Sequence, residues 1–289
     1  MSAILFLAIP YFLGLLWLED RLARRRGLHL HETRDSAASL AMGVGDLAIQ
    51  VAWKGTAFAF YLWLYQYRVF DPGTGLAAFA LLFLAEDCCY YWFHRAHHEV
   101  RVLWASHVAH HSSQRYHLAT ALRQTWTAHV TGLLFYAPLP LLGFHPVLIA
   151  AMHAISLVYQ FWIHTELIDR LGPLEWALNT PSHHRVHHGS NPRYLDRNHG
   201  GILIVWDRLF GTFEPERERV RYGLTKNIET HNPLRILFDE WIAVARDAAA
   251  PGLGARERLG VLLQPPGWRP DGSGRTSRDL RAEALAAEA

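Results

Sequence analysis

Residues 76–111 read LAAFALLFLAEDCCYYWFHRAHHEVRVLWASHVAHH. The first eighteen residues, 76–93, form an apolar run long enough to cross a bilayer as a helix, with Glu86 and Asp87 in its second half. It leads without a break into six histidines, at 94, 97, 98, 107, 110 and 111. An apolar helix that delivers imidazoles at its end implies a helical bundle with a polar site at its border, so the rest of the chain is read outward from here.

Upstream, residues 2–18 (SAILFLAIPYFLGLLWL) just reach spanning length and are followed by EDRLARRRGLHLHETR, a stop with an arginine cluster rather than a cleavage site. The positive-inside rule puts that end in the cytoplasm and the N-terminus outside. Residues 37–65 form a second apolar stretch, holding Asp46 and Lys54, as one tilted helix or a broken one. YRVFDPGTG at 67–75 turns the chain. Residues 130–163 hold two shorter apolar runs around LLGFHP, whose Gly and Pro predict a hairpin bend. The expected fold is all-α: an integral membrane helical bundle of about four to five membrane segments, capped by a cytoplasmic His-rich helical domain. The expected division is 1–34 (membrane helix and basic loop), 35–240 (the domain with the histidines) and 241–289 (an extension, flexible from about 265, where Pro, Gly, Arg and Ala dominate).

Composition agrees. Hydrophobic residues make up 51% and charged residues 19%, below the share usual in soluble domains. A net charge of +2 without a basic stripe argues against nucleic acid as a partner. The two cysteines, Cys88 and Cys89, are neighbours and poor disulfide partners; this implies a reduced, cytosol-facing setting and excludes a cysteine-based zinc finger. Nineteen histidines are the outlier.

H-x-x-H-H occurs twice, as His107, His110, His111 and as His184, His187, His188 within TPSHHRVHHGSNP at 180–192. Positions i, i+3 and i+4 share a helix face, so three imidazoles so placed can converge on a metal. His94 and His98 add an i, i+4 pair, and His164 follows the last apolar run. One such motif is as consistent with a solvated or pH-sensing patch. Two motifs plus H-x-x-x-H, each following an apolar segment, point to metal. One structural zinc needs four ligands, so nine candidates imply two metals, and imidazole alone does not choose between Fe, Zn, Cu and Ni. Asp87, Tyr91, His94 and His98 form one helical stripe, on which Asp87 is placed to orient a ligand histidine. Beside the ligands stand His97, His183 and His199, whose own binding is left open. His117 lies near the motifs, whereas His31 and the other scattered histidines lack ligand spacing.

These motifs resemble those of the fatty acid hydroxylase and sterol desaturase superfamily. EDCCYYWFHRAHHEVRVLWASHVAHHSSQRYHLATALRQ at 86–124, YQFWIHTE at 159–166, LEWALNTPSHHRVHHGSN at 174–191 and WDRLFGTFEPE at 206–216 look most like its alkylglycerol monooxygenase branch. The resemblance covers roughly residues 35–230. It implies an integral-membrane enzyme with two Fe ions held by His94, His98, His107, His110, His111, His184, His187 and His188, and with His164 as the further histidine. Gln114 and His117 stand where the branch tends to carry Glu and Asn, and His199 where it carries an aromatic. Asp87 and Gln114 are taken as the candidate catalytic residues beside the metals. The branch's animal members use tetrahydrobiopterin, which makes it a candidate reductant. The expected function is an O2-dependent di-iron hydroxylase or desaturase acting on a C–H bond of a membrane lipid: a fatty acyl, sterol or alkylglycerol. The chain has no flavin, haem or iron–sulfur motif, so electrons must come from an external donor. The aromatics at 90–93, 126 and 159–162 either line a lipid slot or form an interfacial belt. The alternative is a zinc-dependent membrane hydrolase, with Glu99 or Glu166 as base, or a metal-handling protein.

Overall fold

The structure is a computed structural model that describes residues 2–288. Among the described residues it is helical throughout, with no strand and only two isolated bridges, Leu178 with Leu203 and Gly189 with Tyr222. Three long helices come first: α1 (Ser2–Arg25), α2 (Thr33–Tyr65) and α3 (Leu76–Glu99). The second apolar stretch is therefore one continuous helix. By length and composition, α3 is the one helix among the described residues that qualifies to cross a membrane, where the sequence suggests four to five segments.

The backbone turns extended at Val100 and ends α3. Short helices follow, α4 (Arg101–Trp104) and α5 (Val108–His111), then a 3-10 turn at Leu118–Leu122. The region 130–163 differs from a simple hairpin of two helices. Its first run breaks into α6 (Ala128–Gly132) and α7 (Pro138–Leu141), and only the second gives a regular helix, α8 (Pro146–Trp162). The cause is local: Pro138 and Pro140 lack the N–H a continuous helix needs. α8 starts cleanly because Pro146 occupies its first turn and the His145 ring accepts a hydrogen bond from Val147 N. At the bend Gly143 has φ +94°, and a Cβ there would lie 2.1 Å from the Phe70 carbonyl oxygen, so no other residue fits. The remaining helices are α9 (Pro181–His187), α10 (Val205–Phe210), α11 (Pro233–Ala248), α12 (Ala255–Leu263) and α13 (Ser277–Glu288).

Packing fixes the three long helices around the histidines. Leu82 of α3 is fully buried against Leu139, Ile149 and Met152, which joins α3 to α7 and α8. Ala38 and Met42 of α2 pack on Ala109, Ile236 and Leu237. Phe12, Leu15 and Leu16 of α1 meet Leu118 and Phe161. Burying each large apolar side chain contributes about 1.5–3 kcal/mol. The polar groups of α2 and α3 turn inward and are paired: Asp35 with Arg123 at 2.9 Å, Asp46 with His129 at 2.6 Å, Glu86 with His153 at 3.0 Å. Apolar side chains instead cover the outside, with Leu13, Trp17, Val44, Val51, Trp63, Leu81 and Trp92 all exposed. At the other end of the chain, where composition suggests a flexible tail, residues 277–288 are helical, and Arg281 of α13 pairs with Glu214 at 2.8 Å.

Candidate metal centre

The eight histidines singled out by spacing and His164, which follows the last apolar run, come together in two adjoining groups. One group is His94, His98, His107, His111 and His187; the other is His110, His164, His184 and His188. Within each, one ring nitrogen per residue lies within 4.8 Å of every other. The groups touch through the His111 and His188 rings, stacked with centroids 4.4 Å apart.

Each H-x-x-H-H motif is split between the groups, so the expectation that its three rings converge on one metal is corrected. Residues i and i+4 differ by about 40° around a helix, whereas i+3 lies about 60° to the other side of i. His107, which precedes α5 with a non-helical backbone, and His111 stay together, while His110 points to the second group. In the later motif His184 and His188 stay together and His187 crosses to the first.

Backbone carbonyls orient the rings. Nδ1–H donates from His94 to His199 O at 2.8 Å, from His187 to Arg197 O at 3.0 Å, from His164 to Gln160 O at 2.8 Å and from His110 to Arg123 O at 3.3 Å. His98 Nδ1 stands 3.3 Å from the Asp196 carboxylate. Fixing Nδ1–H fixes the tautomer and leaves Nε2 as a bare lone pair. These lone pairs face each other: His164 Nε2 is 3.3 Å from His110 Nε2, and both rings have already used their proton elsewhere. His184 and His164 approach to 2.9 Å, His188 and His184 to 3.2 Å, and His107 to 3.1 Å from His94 and 3.0 Å from His111. His98 Nε2 and His187 Nε2 are buried without a hydrogen-bond partner.

Protons do not relieve this crowding. Burial, then the neighbouring imidazoles, pushes His107, His111, His184, His187 and His188 well below the usual histidine range. Burial pushes His110 down to about 4. A cation does relieve it, because two nitrogens each about 2.0–2.1 Å from one metal stand about 2.9–3.4 Å apart. The residues present thus fit metal in both groups. Neither group contains a carboxylate.

The neighbouring candidates divide. His97 spends both nitrogens on Phe93 O (2.7 Å) and Thr131 Oγ1 (2.8 Å), outside both groups. His183 faces Glu175, 3.9 Å away. His199 is fully buried beside His98 and His94, with both ring nitrogens unpartnered. Asp87 receives no histidine N–H. Its carboxylate accepts from Ile202 N at 2.7 Å, Leu203 N at 3.1 Å and Trp206 Nε1 at 2.9 Å. It thereby holds the loop whose His199 carbonyl orients His94, one step further out than the sequence stripe suggests. Gly201 lets that loop lie against α3, since a Cβ there would meet Tyr90 at 2.8 Å. Gln114 is exposed, apart from both groups, on a polar cavity of about 310 Å³ shared with Asp35 and Arg123.

Sequence reasoning missed Asp207. It is fully buried and accepts from His199 N (2.7 Å), Gly200 N (2.7 Å) and Thr212 Oγ1 (2.6 Å). Burial pushes its carboxyl up to about 6. The aromatics expected around a lipid slot are largely packed on one another or bonded: Phe93 on Tyr136, Tyr159 OH to Asn179 O, Trp126 Nε1 to Met42 O. The second cavity, about 270 Å³, is lined by Arg170, Glu175, His183 and Arg208 rather than by these rings.

Comparison with known proteins matches the sequence that carries this geometry to a family. The fatty acid hydroxylase family matches residues 79–212, the segment with every member of both groups. The chain is 45% identical over 239 residues to an alkylglycerol monooxygenase of Xenopus tropicalis, covering 82% of this chain and 53% of that protein. It is 42% identical over 272 residues to the alkylglycerol monooxygenase of Homo sapiens, covering 91% and 59%. An ornithine lipid hydroxylase of Rhizobium tropici is 29% identical over 148 residues, 48% of this chain and 43% of that protein. The chain thus spans between about half and three fifths of the length of the alkylglycerol monooxygenases it matches. No solved structure matches it significantly. By the domain at residues 79–212, and by its likeness to the alkylglycerol monooxygenases, the chain belongs to the fatty acid hydroxylase family.

Proposed function

We propose that this protein is a membrane-bound, O2-dependent lipid hydroxylase with two iron ions, one in each histidine group. The observation that carries the reading is the crowding of buried Nε2 atoms at 2.9–3.3 Å, among which His164 and His110 have both already committed their ring protons to backbone carbonyls. His94, His98, His107, His111 and His187 would hold one ion, and His110, His164, His184 and His188 the other. Bound iron supplies the reduction of O2 and the oxidation of an unactivated C–H bond, so that RH, O2, two electrons and two protons give ROH and water. The chain keeps water out by burying the rings and fixes five of them, His94, His98, His110, His164 and His187, through Nδ1. The electrons come from an external donor, for which tetrahydrobiopterin is a candidate.

The substrate is a membrane lipid, and the matched relatives favour an alkylglycerol ether. Hydroxylation beside an ether oxygen yields a hemiacetal, which collapses to an aldehyde and an alcohol. We place α1, α2, α3 and the 130–163 region in the bilayer, with the N-terminus outside and the histidines at the cytoplasmic border. Exposed apolar side chains on α1 to α3, inward-facing polar ones and Arg24 to Arg26 at the end of α1 support this. Zinc hydrolysis is less well supported. Glu99 is engaged by Arg95 and Glu166 by Tyr222, and neither belongs to a histidine group.

The test is metal analysis and turnover on detergent-purified protein from iron-supplemented cells. About two irons per chain, with consumption of O2 and of an alkylglycerol on addition of reduced pterin, is the expected result. Zinc alone, with no iron-dependent O2 uptake, would overturn the reading.

A further inference from the structure

A third cluster lies outside the two histidine groups. Glu19 of α1, His31 of the link between α1 and α2, and His117 at the start of the 3-10 turn bring three donor atoms within 4.8 Å of one another. Glu19 Oε2 is 3.8 Å from His31 Nε2, and the His31 and His117 ring centroids are 4.3 Å apart. His117 is fully buried, yet neither of its ring nitrogens has a hydrogen-bond partner. His31 Nε2 is also buried and unpartnered. A buried polar atom left without a partner costs about 1–3 kcal/mol, and here three such atoms stand side by side.

The carboxylate is set as a ligand carboxylate would be. Glu19 Oε2 accepts from Leu118 N at 2.8 Å and Oε1 from Thr165 Oγ1 at 2.6 Å, which fixes the group while lone pairs remain on both oxygens. Its only ion-pair partner among the described residues is His31.

We propose that Glu19, His31 and His117 bind a single divalent transition-metal ion of the zinc type, with a water as fourth ligand. Two imidazoles and one carboxylate make a common zinc ligand set, and the same set also suits ferrous iron. The ligands come from three separate elements, so the ion clasps α1 to the segment beside the second histidine group. Thr165, which fixes Glu19, directly follows His164, and Tyr116, next to His117, lies tilted against His188 with ring centroids 5.2 Å apart. The role is structural: the ion holds the N-terminal helix against the catalytic core. This site does not depend on the reading of the other two.

The experiment counts zinc and iron by mass spectrometry on the full chain in detergent, after growth with both metals and washing in a weak chelator. His117→Gln and Glu19→Gln are compared with the wild type. The expected result is the loss of one metal equivalent per chain in each variant, with the metal of the two histidine groups retained. Added zinc should then raise the Tm of chelator-treated wild type by more than that of either variant. Equal metal content and equal Tm response in all three proteins would overturn the site. Should His117→Gln lose all its metal, His31→Gln decides, because His31 is partly exposed in a loop and its loss leaves the core packing intact. One equivalent lost there supports the site, and no change overturns it.

Discussion

The two histidine groups are built from the same kind of ring but held differently. In the four-histidine group the anchors are regular structure: His164 donates to the carbonyl one helical turn earlier, at Gln160, and His110 to Arg123 at the end of the 3-10 turn. In the five-histidine group all the oriented rings lean on one loop, with His187 on Arg197 O, His98 on the Asp196 carboxylate and His94 on His199 O. That loop is strained. Asp196 and Asn198 have φ of +53° and +58°, a region that costs a non-glycine residue about 1 kcal/mol or more. Buried acids on both sides over-determine it: Asp87 holds residues 202–206, Asp207 holds 199–200, and Asn198 Nδ2 donates to His183 O and Glu214 O. One group is rigid by its secondary structure, and the other only as long as its loop is held.

The largest effect should come from removing a ligand from each group. His111→Ala and His188→Ala should each lower turnover at least about a hundredfold and halve the iron content, since even losses one shell further out cost 10–100-fold in metal affinity. The comparison fails if either variant keeps both irons.

Asp207→Ala separates the groups without touching a ligand. It strips three acceptor bonds from the loop and should cost more than about 4 kcal/mol of stability, since hydrogen bonds to a charged group contribute about 1.5–3 kcal/mol each. Iron should weaken 10–100-fold in the five-histidine group and remain in the other. Mössbauer spectra of the enriched protein would read the two populations separately. Equal loss from both would mean that the loop does not carry the difference.

The sequence makes the ligands legible but not the assembly. H-x-x-x-H and H-x-x-H-H locate eight of the nine histidines because that spacing is local, and His164 is marked only by its place after the last apolar run. The sorting of His110 and His187 into opposite groups depends on helix phase and on where each short helix lies in space, which spacing alone does not state. Asp207 was missed because its partners are backbone N–H groups, which leave no mark in the side-chain pattern. The long apolar runs mark where α1 and α3 begin and where α2 ends, but α1 and α3 continue to Arg25 and Glu99, past the apolar residues. By contrast, α6, α7 and α13 depend on prolines and on a contact, Arg281 to Glu214, that composition does not encode. His31 and His117 lack ligand spacing for the same reason, since their partner, Glu19, is on another element.

A smaller effect should appear in metal-free protein as a function of pH. Burial holds both His110 and His183 at about 4, below the ordinary 6.5 of the unfolded chain. Between those values the unfolded state binds protons that the folded state refuses, so stability is full above about 6.5 and falls as pH drops towards 4. Chelator-treated protein should thus lose Tm across that window. Metal-loaded protein should hold its Tm to a lower pH, because protons must also displace the ion. Matching curves for the two forms would mean that the rings do not hold metal.

The smallest effect is expected at Gln114. It lies on the polar cavity with Asp35 and Arg123, and its exposed side chain reaches neither histidine group. Gln114→Ala should leave iron content and Tm unchanged, and it should change turnover by less than about threefold, under 1 kcal/mol, as for surface positions generally. The cavity is polar, opens to the surface and abuts Ser112, the residue after His111, so a diffusible reductant could enter there. In that case Gln114→Ala would raise the KM for the reductant while leaving the KM for the lipid untouched. A change in lipid KM instead would put substrate entry on this side.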